Sequence, residues 1–590
     1  MVENSIRGGA FLTQDPELED LFTPEEFTDE HRMIARTVED FVEGEIEPKT
    51  EEIESKDHEV MEGLLKKAAE LGLLSADIPE EYEGMALDKI SSGLIAEKMS
   101  RGGGSFAVTF GAHTGIGTLP IILYGTPDQK ERYLPGLASG EKIAAYCLTE
   151  DTAGSDALAA KTRAEPTADG EAYIVNGSKQ FITNAAIADV LIIYAQVEGD
   201  KFTAFIVDAD SEGVSLGPEE AKLGIRGSST NSINFDDVRV PKENLLGEVG
   251  RGHVIAFNIL NIGRYKLAAG CVGSAKVALE ESVKYALERE QFNQPIANFG
   301  MIREKLADMA IKTFLAESMI YRTIGLIQEG MEGLDPEDPE AGEKTSEAIK
   351  EYAIECSINK IYGSEILDEI VDEAVQIFGG YGYTEEYPVE RMYRDSRINR
   401  IFEGTNEINR LIIPATVMRK AMKGELDIMK QAQALQKDII GLRMPDYRKE
   451  DLGVQKGLLE ASKKILLMVA GTAVQEFGEK LRDHEEIVGN IADLAILVFA
   501  MESGYLRTMK ELAAGGEAEV KSAMVKAYFD EAFHRLEYIS KNTLAAISEG
   551  DVLRTQMAIL KKLTMYTPID AIGCKATVAE EIIENRGYSC

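Results

Sequence analysis

The first part of the chain repeats apolar residues at helical spacing. Met61, Leu64, Leu65, Ala68 and Leu71 form one stripe that stops before Gly72, a helix followed by a left-handed stop. Upstream, Thr23 precedes Pro24 and Glu26, the order of an N-cap, a first-turn proline and a capping-box carboxylate. Glycines at 102–104 break the pattern, and helix resumes over 117–124. Near Ala144 the period changes to two. AYIVNGSKQFIT, from Ala172, holds two strand-like runs joined by Asn176-Gly177, which predicts a hairpin. Further strands are expected from Asp189, Lys201 and Ser232, the last ending at Pro241. Long amphipathic helices return from Ile255, including one with Leu306, Met309, Phe314 and Ile320 near one face. A polar loop, GLDPEDPEAGEKTS, precedes a helix over 348–362, and a final block from about 445 is again helical in period. The expected class is mostly α with an inserted β domain. Its expected domains are 1–144 helical, 145–252 β, 253–425 helical bundle and 426–590 helical.

Composition narrows the function classes. A chain of 590 residues exceeds one hydrophobic core. Its formal net charge of −39 opposes nucleic acid and anionic membranes and fits a well-solvated surface. The 5 Cys are widely spaced without CxxC, and the 6 His form no HxxxH, so neither a disulfide framework nor a metal centre is expected. The N-terminal residues lack the basic and apolar regions of a signal peptide. An uninterrupted run of about 18 apolar residues is missing, so no membrane-spanning helix is expected. The expectation is a cytoplasmic protein.

Three stretches carry candidate chemistry. YCLTEDTAGSD, from Tyr146, sets hydroxyls, amides and a Gly-Ser pair where helix gives way to strand, able to hydrogen-bond a planar ring or a pyrophosphate. QIFGGYGYTEEYPVER, from Gln376, is glycine-rich without meeting the GxGxxG template, so a Rossmann site is not indicated. RIFEGTNE, from Arg400, holds Glu403 among apolar residues and glycine, the setting of a general base of raised pKa. Taken alone, each also reads as an ordinary loop.

Together the stretches resemble the acyl-CoA dehydrogenase family over about residues 25–425, with CLTEDTAGSDALA, IFEGTNEINRLI and KLGIRGSSTNSINFDDVRVPKENLLG matching family motifs. The C-terminal extension, GAHTGIGT and YCLTE resemble its very-long-chain branch. The resemblance implies an N-terminal helical domain, a small β-barrel-like domain and a four-helix bundle, with FAD in the cleft between the last two. It implies that Tyr146, Leu148, Thr149 and Ser155 line the flavin or adjoin the thioester, and that Phe181 and Thr183 flank the isoalloxazine. Phe181 stands where the family often has Trp, and keeps an aromatic face. Arg289, Phe292, Gln376 and Gly380 match contacts to a partner subunit's FAD, and Thr405 and Glu407 match adenosine-side contacts. Ser155, Asn261, Arg264 and Gly404 match substrate contacts, Arg264 helping to hold CoA.

Glu403 falls on the family's catalytic base. Some branches carry that Glu just before the Arg matching Arg264; here the position is Gly263. The implied reaction is α,β-dehydrogenation of a fatty acyl-CoA. An electron-transfer flavoprotein is the implied acceptor and a homodimer the implied assembly, with the C-terminal helices replacing the second dimer of tetrameric relatives. An acyl-CoA oxidase using oxygen and a dehydrogenase-like assembly factor remain alternatives. Small residues Gly111, Ala112, Gly115 and Gly117 suit a deep acyl pocket, or close helix packing. Few basic residues around 429–442 favour packing over membrane attachment there.

Overall fold

The computed structural model describes residues 6–335, 338, 340–428, 430–432, 435, 447 and 450–590. The segment 429–442, where packing was weighed against membrane attachment, lies largely outside them. Helices fill the chain up to Ala138, after which eight strands make one sheet. Four long helices follow: Gly252–Glu288, Gly300–Gly330, Ala353–Phe378 and Asn406–Met422. A last set runs from Gly453 to Asn585.

The N-terminal expectations hold locally. Asp57 caps a helix over His58–Glu70 that buries Met61, Leu64, Leu65 and Ala68, and Gly72 follows at φ 75°. The Thr23 capping box forms as well, but it closes only a 3-10 turn over Pro24–Glu26. The longer helix starts at Asp29 under a second cap, Thr28.

In the sheet, strands β1 (Ala144–Cys147), β2 (Arg163–Pro166), β3 (Ala172–Thr183), β4 (Val190–Val197), β5 (Lys201–Asp208), β6 (Val214–Leu216), β7 (Thr230–Pro241) and β8 (Leu245–Leu246) take the order β6-β7-β3-β2-β4-β5-β8. β1 pairs parallel with β4 off this path. The expected Asn176-Gly177 hairpin is corrected here. Both residues lie inside β3, which runs antiparallel to β7 along its length with a register shift at Val175/Gly177. Gly177 (φ 152°) takes up this bulge because a Cβ there would come within 2.5 Å of Thr162 Oγ1, while Asn176 exchanges two 2.9 Å hydrogen bonds with Asp237. Long-range pairing with β7 overrides the local turn preference.

The expectation about apolar runs also needs correction. Windows in 104–124 and in the Glu485–Ala513 helix reach a mean hydropathy of 1.5, enough by length and composition to span a membrane. In the fold, 72% and 83% of those windows are buried inside the protein. The second helix packs on the bundle, where Arg410 donates to Asp493 at 2.8 Å.

Candidate active site

The chain enters the site through a 3-10 turn over Arg397–Arg400 and leaves it as the Asn406–Met422 helix, capped by the Thr405 hydroxyl, which accepts from Ile408 N at 3.2 Å. Between them Glu403 (φ 57°) and Gly404 (φ 78°) are consecutive left-handed residues. For glutamate this conformation is costly, and the surroundings hold it. Arg264 Nε donates to the Glu403 carbonyl at 3.3 Å. Asn409 Nδ2 donates to the Gly404 and Thr405 carbonyls at 2.8 and 3.1 Å. Lys360 Nζ donates to the Gly404 carbonyl at 2.8 Å and to Asn406 Oδ1 at 2.7 Å.

With the carbonyls held from below, the Glu403 side chain turns into a cavity. Its Oε2 is buried and has no hydrogen-bond partner among the described residues. Burial pushes the Glu403 carboxyl up to about 7, with Arg264 and Lys360 pulling the other way. Burial likewise lowers Lys360 to about 8, opposed by Glu403. The carboxyl rests on Gly263: a Cβ there would stand 2.6 Å from Oε2.

From Gly263 the cavity follows one helix face through Leu267, Gly270 and Ser274. The 11 steps from Gly263 to Ser274 rise about 16 Å at 1.5 Å each, the reach of roughly 13 extended single bonds. Gly111, Ala112 and Gly115 line the opposite wall; Gly117 does not reach it, and a Cβ there would meet Ala144.

The other expected site residues fall into two groups. Thr183 lines the cavity itself. Phe181, at φ 57°, is 61% exposed and Ser155 is exposed, while Tyr146 and Leu148 are buried and Thr149 accepts from Gln180 N at 2.9 Å. Behind this loop lies a buried ion pair that sequence reading missed: Lys179 meets Glu150 at 2.8 Å, and Glu150 also accepts from Lys161 N and Thr162 N. Arg264 and Asn261 are both buried beneath the Glu403 loop and joined at 2.8 Å. Thr405 and the exposed Glu407 sit at the helix start.

Arg289, Phe292, Gln376 and Gly380 gather elsewhere, all exposed, Phe292 at 87%. Arg289 lies over the Tyr381 ring at 5.7 Å. Arg289 caps the end of the helix that holds Gly263, and the 26 steps between them put the two about 39 Å apart.

Family models for the acyl-CoA dehydrogenase N-terminal, middle and C-terminal domains match residues 28–141, 145–238 and 250–418, and a second C-terminal domain model matches 461–562. The chain belongs to the acyl-CoA dehydrogenase family. It is 52% identical over 585 residues to a Bacillus subtilis protein described as a probable acyl-CoA dehydrogenase, covering 99% of this chain and 98% of that one. It is 36% identical over 503 residues to the very long-chain specific acyl-CoA dehydrogenase of Rattus norvegicus, covering 79% and 72%. A crystal structure of an acyl-CoA dehydrogenase complexed with FAD from Bacillus anthracis superposes with a TM-score of 0.98 at 53% identity, covering 99% of this chain and 100% of that one.

As a dehydrogenase of this family the protein is an FAD-dependent oxidoreductase. Its own residues fit that cofactor. An aromatic ring at Phe181 is left largely uncovered, Gly154 has open space where a Cβ would stand, and the orphaned Glu403 oxygen faces the same cavity as Thr183.

Proposed function

We propose that the protein removes the α and β hydrogens of long-chain fatty acyl-CoA thioesters, forming trans-2-enoyl-CoA in fatty acid β-oxidation. The observation that carries this reading is Glu403, whose buried Oε2 is unpartnered among the described residues and faces a long, mostly apolar cavity. A carboxylate raised to about 7 is matched to taking a weakly acidic carbon-bound proton near neutral pH. Glu403 takes the α-proton, and its main-chain N–H is the donor for the thioester oxygen as enolate charge develops. FAD, when bound, accepts the β-hydrogen with its electron pair. Phe181 and Thr183 orient the ring, Lys360 and Arg264 keep the catalytic loop in its left-handed form, and the apolar walls exclude water.

A long-chain preference is supported by the cavity length and by the name of the rat relative. An electron-transfer flavoprotein is the acceptor that the family resemblance implies. Assembly as a homodimer is supported by the second cluster of site residues. Arg289 ends the helix that holds Gly263, about 39 Å farther along, a separation that favours the flavin of another copy for the contact that the resemblance implies. The C-terminal helices packed on the bundle are consistent with assembly stopping at two chains. Five free cysteines agree with a reducing, cytoplasmic setting.

Anaerobic titration with palmitoyl-CoA should bleach the flavin absorption, and the bleached form should persist when oxygen is admitted. Rapid re-oxidation with peroxide would instead indicate an oxidase. Glu403→Gln should retain FAD and acyl-CoA binding and lose at least about a thousand-fold in kcat. Near-normal turnover would remove Glu403 from the base role.

A further inference from the structure

Ile225 is a buried β-branched residue at φ 46°, a conformation that branched side chains rarely adopt. It lies in the loop between β6 and β7, yet it lines the acyl cavity. Parts from three domains hold it. Its N–H donates to the buried Asp395 carboxylate, at the end of the Pro388–Ser396 helix. Gly224 presses on the same helix end, where a Cβ would stand 2.3 Å from the Arg394 carbonyl oxygen. On the N-terminal side, a Cβ at Gly104 would come within 3.0 Å of both Ile225 Cγ2 and Asp395 Cβ, so glycine alone leaves room for this contact.

The location follows from the helices. Ser274 donates to the Ser100 carbonyl at 3.4 Å, and a Cβ at Gly270 would stand 2.6 Å from Ser100 Oγ. Gly104 lies just past Ser100 in the chain. Gly104, Ile225 and Asp395 thus stand together on the cavity wall, Gly104 four residues along the chain from the Ser100 that Gly270 and Ser274 touch. Strained backbone survives where the surroundings over-determine it, and such sites tend to be functional.

We infer that Ile225 is a specificity-determining residue, the stop against which the far end of the acyl chain abuts. The inference rests on the proposed acyl-CoA dehydrogenation, and sets the chain length that reaction accepts. Removing the side chain opens the end wall toward the β domain. Enlarging it shortens the cavity.

The test compares kcat/KM for lauroyl-, palmitoyl- and arachidoyl-CoA in the FAD-loaded full chain. Ile225→Gly also relieves the positive φ, which offsets part of the cost of the space it opens. It should raise the arachidoyl-to-palmitoyl ratio about ten-fold, the usual worth of one or two methylenes in an apolar pocket. Ile225→Phe should raise the lauroyl-to-palmitoyl ratio by a similar factor. Movement of either ratio in the stated sense supports the inference, because ratios cancel any general loss of activity. Unmoved ratios in both variants, with the unaltered protein active, overturn it. If the unaltered protein bleaches with none of the three thioesters, the proposed reaction fails and this inference fails with it.

Discussion

Glu403 and Gly263 are a matched pair, one carboxyl and one missing Cβ. Gly263 sits inside a long helix, where alanine is ordinarily about 1 kcal/mol better than glycine. Gly263→Ala should therefore leave the melting temperature equal or higher while lowering kcat about a hundred-fold, because a 1 Å displacement of a reacting group costs that much. An unchanged kcat would show that the base does not need this seat. The raised Glu403 carboxyl also sets a pH dependence. The base must be ionised, so kcat/KM should rise with pH through about 7. A profile flat from pH 6 to 8 would contradict this. Glu403 was legible because an acidic residue in a glycine loop is a local pattern. Lys360 was not. In sequence it is one lysine in an apolar helix, and only folding brings its ammonium under the Gly404 carbonyl.

At the scale of elements, His113 joins the 104–124 helical segment to β1. Its Nδ1 accepts from Ala144 N at 3.1 Å, and its Nε2 donates to the Leu137 carbonyl at 3.0 Å. Burial pushes the imidazole down to about 4, with the Leu137 hydrogen bond opposing. A histidine held below its ordinary value of 6.5 must stay neutral in the fold, so the unfolded chain binds more protons between those two values. The stability it contributes is complete above about pH 6.5 and is lost as pH falls toward 4, amounting to about 3 kcal/mol. His113→Gln should be less stable at pH 7.5 yet lose less on acidification than the unaltered protein, read from denaturation midpoints at both pH values. Equal pH slopes would rule out this role. The β3 bulge teaches a related lesson: Asn-Gly has a strong local turn preference, but the nine-position pairing with β7 outweighs it.

Across the whole molecule, a buried charge network binds N-terminal segment, bundle and C-terminal helices. Arg507 meets Glu317 at 2.7 Å and Glu25 at 2.8 Å; Lys276 reaches Glu97 and Glu317; Tyr588 donates to Glu317 at 2.7 Å. Burial alone would push the Glu317 carboxyl up, but Lys276 and Arg507 hold it down at about 2. Arg507→Met should cost about 3–5 kcal/mol by leaving buried carboxylates short of a partner. Chemical denaturation would report it, and a loss below about 1 kcal/mol would mean that these domains do not depend on the network.

The amino-acid order alone settles the alternation of helical and β segments and the long loop motifs, and it singles out Glu403 as the candidate base. Those features depend on periodicity and on neighbours within a few residues. Tertiary structure alone decides that Asn176-Gly177 continues a strand, that two apolar helices spend their hydrophobic surface inside the protein, that Lys360 holds the Gly404 carbonyl, that His113 ties a helical segment to β1, and that Ile225 and Asp395 reach the cavity wall. Each of these depends on groups distant in the chain, whose hydrogen bonds, charges and steric limits exist only once the domains have closed on one another.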